Sequence, residues 1–267
     1  MAVSSHDQIW DFPSRETGKQ GKPMIGLNMD YCSATRQRPA LGYITAGYFD
    51  CLIRAGAIPV VIPPLFHRAD VERVLEQLDG FVLIGGADLD PRRDRCQLHS
   101  TTHLMDSRRE DFDRLLSRAI REHRKPVLGI GAGMQLLNVI MKGTLSLHIP
   151  DDFENAMPHF DRGDPDHRHT LTVKPASLID RVYGEGEIRV ASRHHMAILE
   201  LAEPFVATAW APDGIIEAFE SVDPDWFAIG VQFHPECEAA SALDFGIFEE
   251  FVNGVRQASR TMVRLAA

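Results

Sequence analysis

The sequence predicts an α/β protein, a three-layer sandwich with a mostly parallel central sheet, and three observations predict it. Short apolar runs alternate with amphipathic helical stretches from Pro23 onward, which is the order of βαβ units. The stretch Lys-Pro-Val-Leu-Gly-Ile-Gly-Ala-Gly-Met-Gln, Lys125 to Gln135, breaks at glycines straight into the helical pattern of Met134, Leu136, Leu137 and Ile140. A further buried run, Phe227 to Phe233, ends in His234-Pro235-Glu236. In a sheet of this kind the functional loops lie at the carboxyl ends of the strands.

Taken in order, residues 1–22 form a polar arm and 23–267 a single domain. Pro23 to Asn28 reads as the first strand. Tyr43 to Ala55 suits a helix, with Tyr48, Leu52 and Ala55 on one face. Ala57 to Ile62 is a strand closed by Pro63-Pro64, Ala69 to Leu78 a helix, and Gly80 to Ile84 a third strand. That strand runs into Gly85-Gly86-Ala87-Asp88-Leu89-Asp90-Pro91, where paired glycines let the backbone approach a ligand. Asp106 to Glu122 is a helix with Phe112, Leu115, Leu116, Ala119 and Ile120 as its apolar stripe; the acidic residues near its start read as ordinary helix chemistry.

Past the Lys125–Gln135 turn, Asp151 to Arg168 is a polar insertion expected to loop over the site. His169 to Val173 alternates as a strand, and Phe205 to Trp210 pairs with Ile215 to Phe219 around the turn Pro212-Asp213-Gly214. A final helix is expected from Ala239 to Gln257.

The 267 residues are 44% hydrophobic and 25% charged, the composition of an ordinary globular protein. Lys+Arg 28 against Asp+Glu 38 leaves a net charge of -10, which argues against nucleic acid or anionic membranes as partners. Cys32, Cys51, Cys96 and Cys237 are scattered without zinc-knuckle or disulfide spacing. With no signal-like or membrane-length apolar run, a cytoplasmic location is expected.

The turn resembles the nucleophile elbow of class I glutamine amidotransferase-like proteins, and more closely that of the γ-glutamyl-γ-aminobutyrate hydrolase branch (peptidase C26-like), which reads Gly-Ile-Cys-Arg-Gly-Met-Gln. Gly131 stands where that branch has its cysteine and Ala132 where it has arginine. The loop at 85–91 resembles the branch's Gly-Gly-x-Asp-x-x-Pro, and Ile188 to His195 resembles its Val-Asn-Ser-x-His-His-Gln, with Ala191 and Met196 as departures. Arg109 to Asp113 resembles its Arg-Asp-x-x-Glu with the acidic residues exchanged. The resemblance spans about Pro23 to about Val252 and implies a flavodoxin-like sheet.

It also implies roles. His234 is the general base and Glu236 its orienter, while the backbone N–H groups of Gly86 and Ala132 form the oxyanion hole. Gln135 helps hold a γ-glutamyl group, and His194 lies at the pocket edge. The family commonly forms homodimers, and that option carries over.

What is missing is the thiol, whose removal from a comparable triad costs on the order of 10⁶ in rate. Cys32 and Cys96, both past strand ends, are the only remote substitutes; Cys237 should leave with the following helix. Three readings follow. The chain binds a γ-glutamyl or other small carboxylate ligand without thiol catalysis. Alternatively, it hydrolyses a γ-glutamyl amide or related C–N bond through water activated by His234 and Glu236, or through a metal at His194, His195, His234 and Glu236. Or it is an interaction protein with a relic pocket. The first reading needs no cofactor.

Overall fold

The computed structural model describes residues 21–161, 163–164, 167–184, 188–238 and 240–266. All but the end of the predicted N-terminal arm lies outside them. The chain runs β1 (Met24–Leu27), β2 (Asp30–Cys32), β3 (Leu41–Tyr43), α1 (Ala46–Arg54), β4 (Ile58–Val61), α2 (Arg68–Gln77) and β5 (Gly80–Leu83). After a 3₁₀ turn at Pro91–Asp94 come α3 (Ser107–Glu122), β6 (Val127–Ile130), α4 (Ala132–Ile140), β7 (Thr144–Ser146) and α5 (Ile149–Asp152). The remainder is β8 (Arg168–Val173), α6 (Leu178–Tyr183), β9 (Ile188–Ala191), β10 (Ala197–Glu200), β11 (Phe205–Trp210), β12 (Ile216–Ser221), β13 (Ala228–Val231) and α7 (Gly246–Ala266).

One nine-stranded sheet, ordered β4-β1-β5-β6-β13-β12-β11-β8-β9, organises these elements. Strands β4, β1, β5, β6 and β13 are parallel, and the sheet continues antiparallel through β12, β11, β8 and β9. The inner parallel strands β5, β6 and β13 are buried on both faces because side chains alternate along a strand and helices cover each side, while β4 forms the exposed edge. Val82, Ile84, Leu128 and Ile130 point to the face covered by Leu52 of α1 and Phe251 and Val252 of α7. Phe81, Leu83 and Val127 point to the other, under Leu75 of α2, Phe112 and Leu116 of α3, and Met134 and Leu137 of α4. This is the expected three-layer sandwich.

Three boundaries differ from expectation. Tyr43 ends a hairpin strand paired with β2 instead of starting α1, which begins at Ala46. Strands β7 and β10 form a small antiparallel ladder that the sequence does not announce, because its partners lie far apart in the chain. Helix α7 begins at Gly246, not at 239: Ser241 and Asp244 cap one another in a turn, and Tyr183 donates to Asp244 Oδ1 at 2.6 Å. Among the described residues no helix is long and apolar enough to cross a membrane.

Candidate functional site

Register brings the site together. Ile130 at the end of β6 stands opposite Val231 at the end of β13, so the turn after one strand meets the His-Pro-Glu segment after the other. Gly131 makes that turn at φ 53° and ψ −114°, donates to the Val231 carbonyl at 2.8 Å, and offers its own carbonyl to Gln135 N–H at 3.1 Å to start α4. A side chain at such a positive φ costs about 1–3 kcal/mol, a strain glycine escapes. Two residues on, a Cβ at Gly133 would fall 2.1 Å from the Leu83 carbonyl oxygen, so the first turn of α4 lies directly on β5. The elbow predicted from the sequence is present in backbone form.

The His234 ring faces this turn. A Cβ placed on Gly131 would sit 3.3 Å from His234 Cε1, 3.5 Å from Nε2 and 3.6 Å from the Gly85 Cα. On the far side of the ring, Nδ1 is 2.8 Å from Glu236 Oε1. Burial opposes a charge on the ring, but the Glu236 carboxylate and its hydrogen bond outweigh that, against some opposition from Arg193, and hold the imidazole above its usual pKa. Tyr48 of α1 lies beside the same carboxylate and accepts the Gly85 N–H at 3.0 Å. Burial and the Glu236 charge push its phenol well above the ordinary range. Tyr48 thus ties the glycine loop to the histidine–glutamate pair, a role hidden in the sequence behind its place in an apolar stripe.

Beneath the glycine pair lies Arg109, 1% exposed. Its Nη2 donates to the Gly85 carbonyl at 2.7 Å and the Ile84 carbonyl at 3.3 Å, its Nε to Asp113 at 3.1 Å, and its Nη1 to Asp30. A Cβ at Gly86 would fall 2.1 Å from Nη1, so only glycine lets the guanidinium rise this close to the loop. The Arg109–Asp113 segment, which reads as helix-start chemistry, is a buried brace for the loop. His195 Nε2 is 3.0 Å from Asp88, which also accepts the His103 N–H, and this pins the loop from the other side.

Two predicted residues point elsewhere. Gln135 is buried and spends its amide nitrogen on Gln232 Oε1 at 3.0 Å and the Met196 carbonyl at 3.4 Å. His194 turns into the interior, with Nδ1 2.9 Å from the Met196 carbonyl and Nε2 3.2 Å from Glu217. It therefore stands behind the crevice and not at its edge. The metal set His194, His195, His234 and Glu236 does not assemble, because each histidine is turned to a different carboxylate: Glu217, Asp88 and Glu236. Among the described residues the one grouping of metal-type donors is His159, His169, His194 and Glu217, all buried. The polar insertion expected to loop over the site is tied into the interior through His159.

None of the four cysteines is among the atoms nearest the Gly131 Cβ position. Cys32 and Cys96 are exposed, and burial pushes the Cys51 thiol up to about 11. An apolar concavity between Leu89, Pro91, Val139 and Leu145 has Cys96 in its wall, and none of the polar site residues lines it.

Residues 23–236 match the family model described as Peptidase C26. The chain is 29% identical over 237 residues to Protein NtpR of Enterococcus hirae, covering 86% of this chain and 98% of that protein. It is 32% identical over 237 residues to a Mycobacterium tuberculosis protein named "Putative glutamine amidotransferase Rv2859c", covering 87% and 74% respectively. Among solved structures it resembles a Thermoplasma acidophilum protein described as a "putative gmp synthase subunit a protein", with a TM-score of 0.65 and 20% identity, covering 92% of this chain and 100% of that one. At that identity the likeness concerns the fold.

Proposed function

The chain belongs to the peptidase C26 family, glutamine amidotransferase-like proteins, and on that premise we propose that it binds a γ-glutamyl compound or another small carboxylate without thiol catalysis. The observation that carries this reading is the elbow itself. Base and orienter stand in place, His234 on Glu236 at 2.8 Å, yet the residue facing the ring has no side chain. The family's attacking atom has no counterpart there, so a thioester cannot form.

The surroundings suit an anion. The first N–H groups of α4, which starts at Ala132, have no carbonyl within the helix to donate to, and a helix start of this kind favours an anion. The elevated pKa of His234 favours an imidazolium, and the Arg193 charge is near enough to be felt by that ring. A carboxylate answers both. Glu236 makes the same ring more basic, so the second reading, in which His234 activates water, keeps its base, and the two readings part on whether product forms.

The test is to incubate wild-type protein with a mixed pool of γ-glutamyl amides and glutamine, follow products by mass spectrometry, and identify what stays with the protein on desalting. We expect no product and one retained pool member, with retention weakened in His234→Ala protein. Product that disappears in His234→Ala would overturn binding in favour of water activation. Neither product nor retention would leave the pocket a relic.

A further inference from the structure

Away from the crevice, His159, His169 and His194 surround Glu217, with side chains 1%, 0%, 6% and 0% exposed. The outer nitrogen of each ring faces an acceptor that has no proton to give. His159 Nε2 is 2.9 Å from Asp213 Oδ2, His169 Nδ1 is 3.1 Å from the Thr170 carbonyl, and His194 Nδ1 is 2.9 Å from the Met196 carbonyl. Each outer nitrogen must therefore carry the hydrogen, and a neutral ring then turns a bare lone pair inward. Three lone pairs and a carboxylate converge on one another. His169 Nε2 and Glu217 Oε2 are buried without a hydrogen-bond partner.

Four inward-facing acceptors repel unless something positive sits between them, and the spacing indicates what. Glu217 Oε1 lies 3.2 Å from His159 Nδ1, 3.3 Å from His169 Nε2 and 3.2 Å from His194 Nε2, and the His159 and His194 nitrogens are 3.2 Å apart. A tetrahedral zinc ion with ligands at about 2.0–2.1 Å has ligand–ligand edges of about 3.3–3.4 Å. All four ligand atoms lie within 4.8 Å of one another.

We infer that His159 Nδ1, His169 Nε2, His194 Nε2 and Glu217 form a closed site for a divalent transition-metal ion of the zinc type. Imidazole donors select such an ion over calcium or magnesium. Asp213, holding the far side of the His159 ring, supplies the outer carboxylate that fixes ring and tautomer in metal centres. Glu217 and Asp213 together balance the two charges of the ion, so the buried group is neutral. With every donor shut from solvent, the centre is structural. It joins the 151–168 segment, β8, the turn after β9, and β12.

The inference is independent of the small-carboxylate reading, and its test reads metal and not activity. Untagged full-length protein, purified without chelator, is analysed by elemental mass spectrometry. About one zinc per chain is expected, retained in His234→Ala and lost in His169→Gln and Glu217→Gln. Since those variants also risk misfolding, the wild type is stripped with a strong chelator and refilled with Co²⁺ alone. Intense visible bands of a four-coordinate ion, together with a melting temperature that falls on stripping and recovers on refilling, support the site. Wild-type protein that holds no transition metal, melts at the same temperature with and without zinc, and gives only the spectrum of aqueous Co²⁺ would overturn it; the inward positions would then be shared by protons.

Discussion

His234 and the histidines around Glu217 are both held by a glutamate, but they differ in what the glutamate leaves over. Glu236 takes one nitrogen of one ring, and the other nitrogen faces the open turn at Gly131. Glu217 is met by three rings at once in an interior closed to water. An imidazole with one satisfied and one free nitrogen is a reagent or a receptor. Three imidazoles with their free nitrogens turned together form a structural problem until a cation fills the centre. The first arrangement can change its occupant cheaply; the second cannot lose a member.

The largest expected effect follows from that contrast. Glu217→Gln removes the carboxylate that faces the cation of the buried centre and should cost about 3–5 kcal/mol in urea denaturation, the usual range for taking one partner from a buried charge pair. Glu236→Gln removes a single charged hydrogen bond beside the crevice and should cost about 1–2 kcal/mol. Equal losses in the two variants would erase the distinction between a structural and a functional centre.

Gly131→Cys tests the open centre directly. The positive φ should lower stability by about 1–3 kcal/mol, while the new thiol, built toward His234 Nε2, should alkylate at a pH below that of an ordinary cysteine. Adding His234→Ala should return the alkylation profile to that of an ordinary thiol. If the single variant reacts no faster than the double, the ring is not poised over the turn.

The smallest effect is a shift along the pH axis. Because the His234 pKa is raised, the imidazolium persists above its ordinary range, and carboxylate binding should hold there and fall as pH rises through the raised value. Glu236→Gln removes the carboxylate that raises it, so the falling edge should move to lower pH. Ring nitrogen shifts of His234, followed by NMR across the titration, check the direction.

The parallel half of the fold was readable because its signals are local: apolar runs bounded by Gly85-Gly86, by the Gly129–Gly133 cluster and by His234-Pro235-Glu236 each declare a strand end within a few residues. The buried centre was not, because its donors come from four segments that only the pairing of β8 with β9 and of β11 with β12 gathers. His159 sits in a stretch that reads as polar loop, and His169 in one that reads as plain strand. The signal available was Glu217, a charge flanked by Ile215, Ile216, Ala218 and Phe219 in the predicted strand, which calls for a buried partner. The role of Arg109 is hidden for the opposite reason. A charge near a helix start already has an adequate local explanation, and its burial under the Gly85-Gly86 loop is a tertiary fact.

Gly131 is free to leave the conformation it occupies, since glycine has no need of an elbow. It is kept there by its neighbours: the Val231 carbonyl on one side, the Gln135 N–H on the other, and Gly133 seated on β5. The frame, rather than the residue, remembers the turn. A side chain returned at position 131 would therefore meet the strain of its positive φ, yet ask the fold for no new shape.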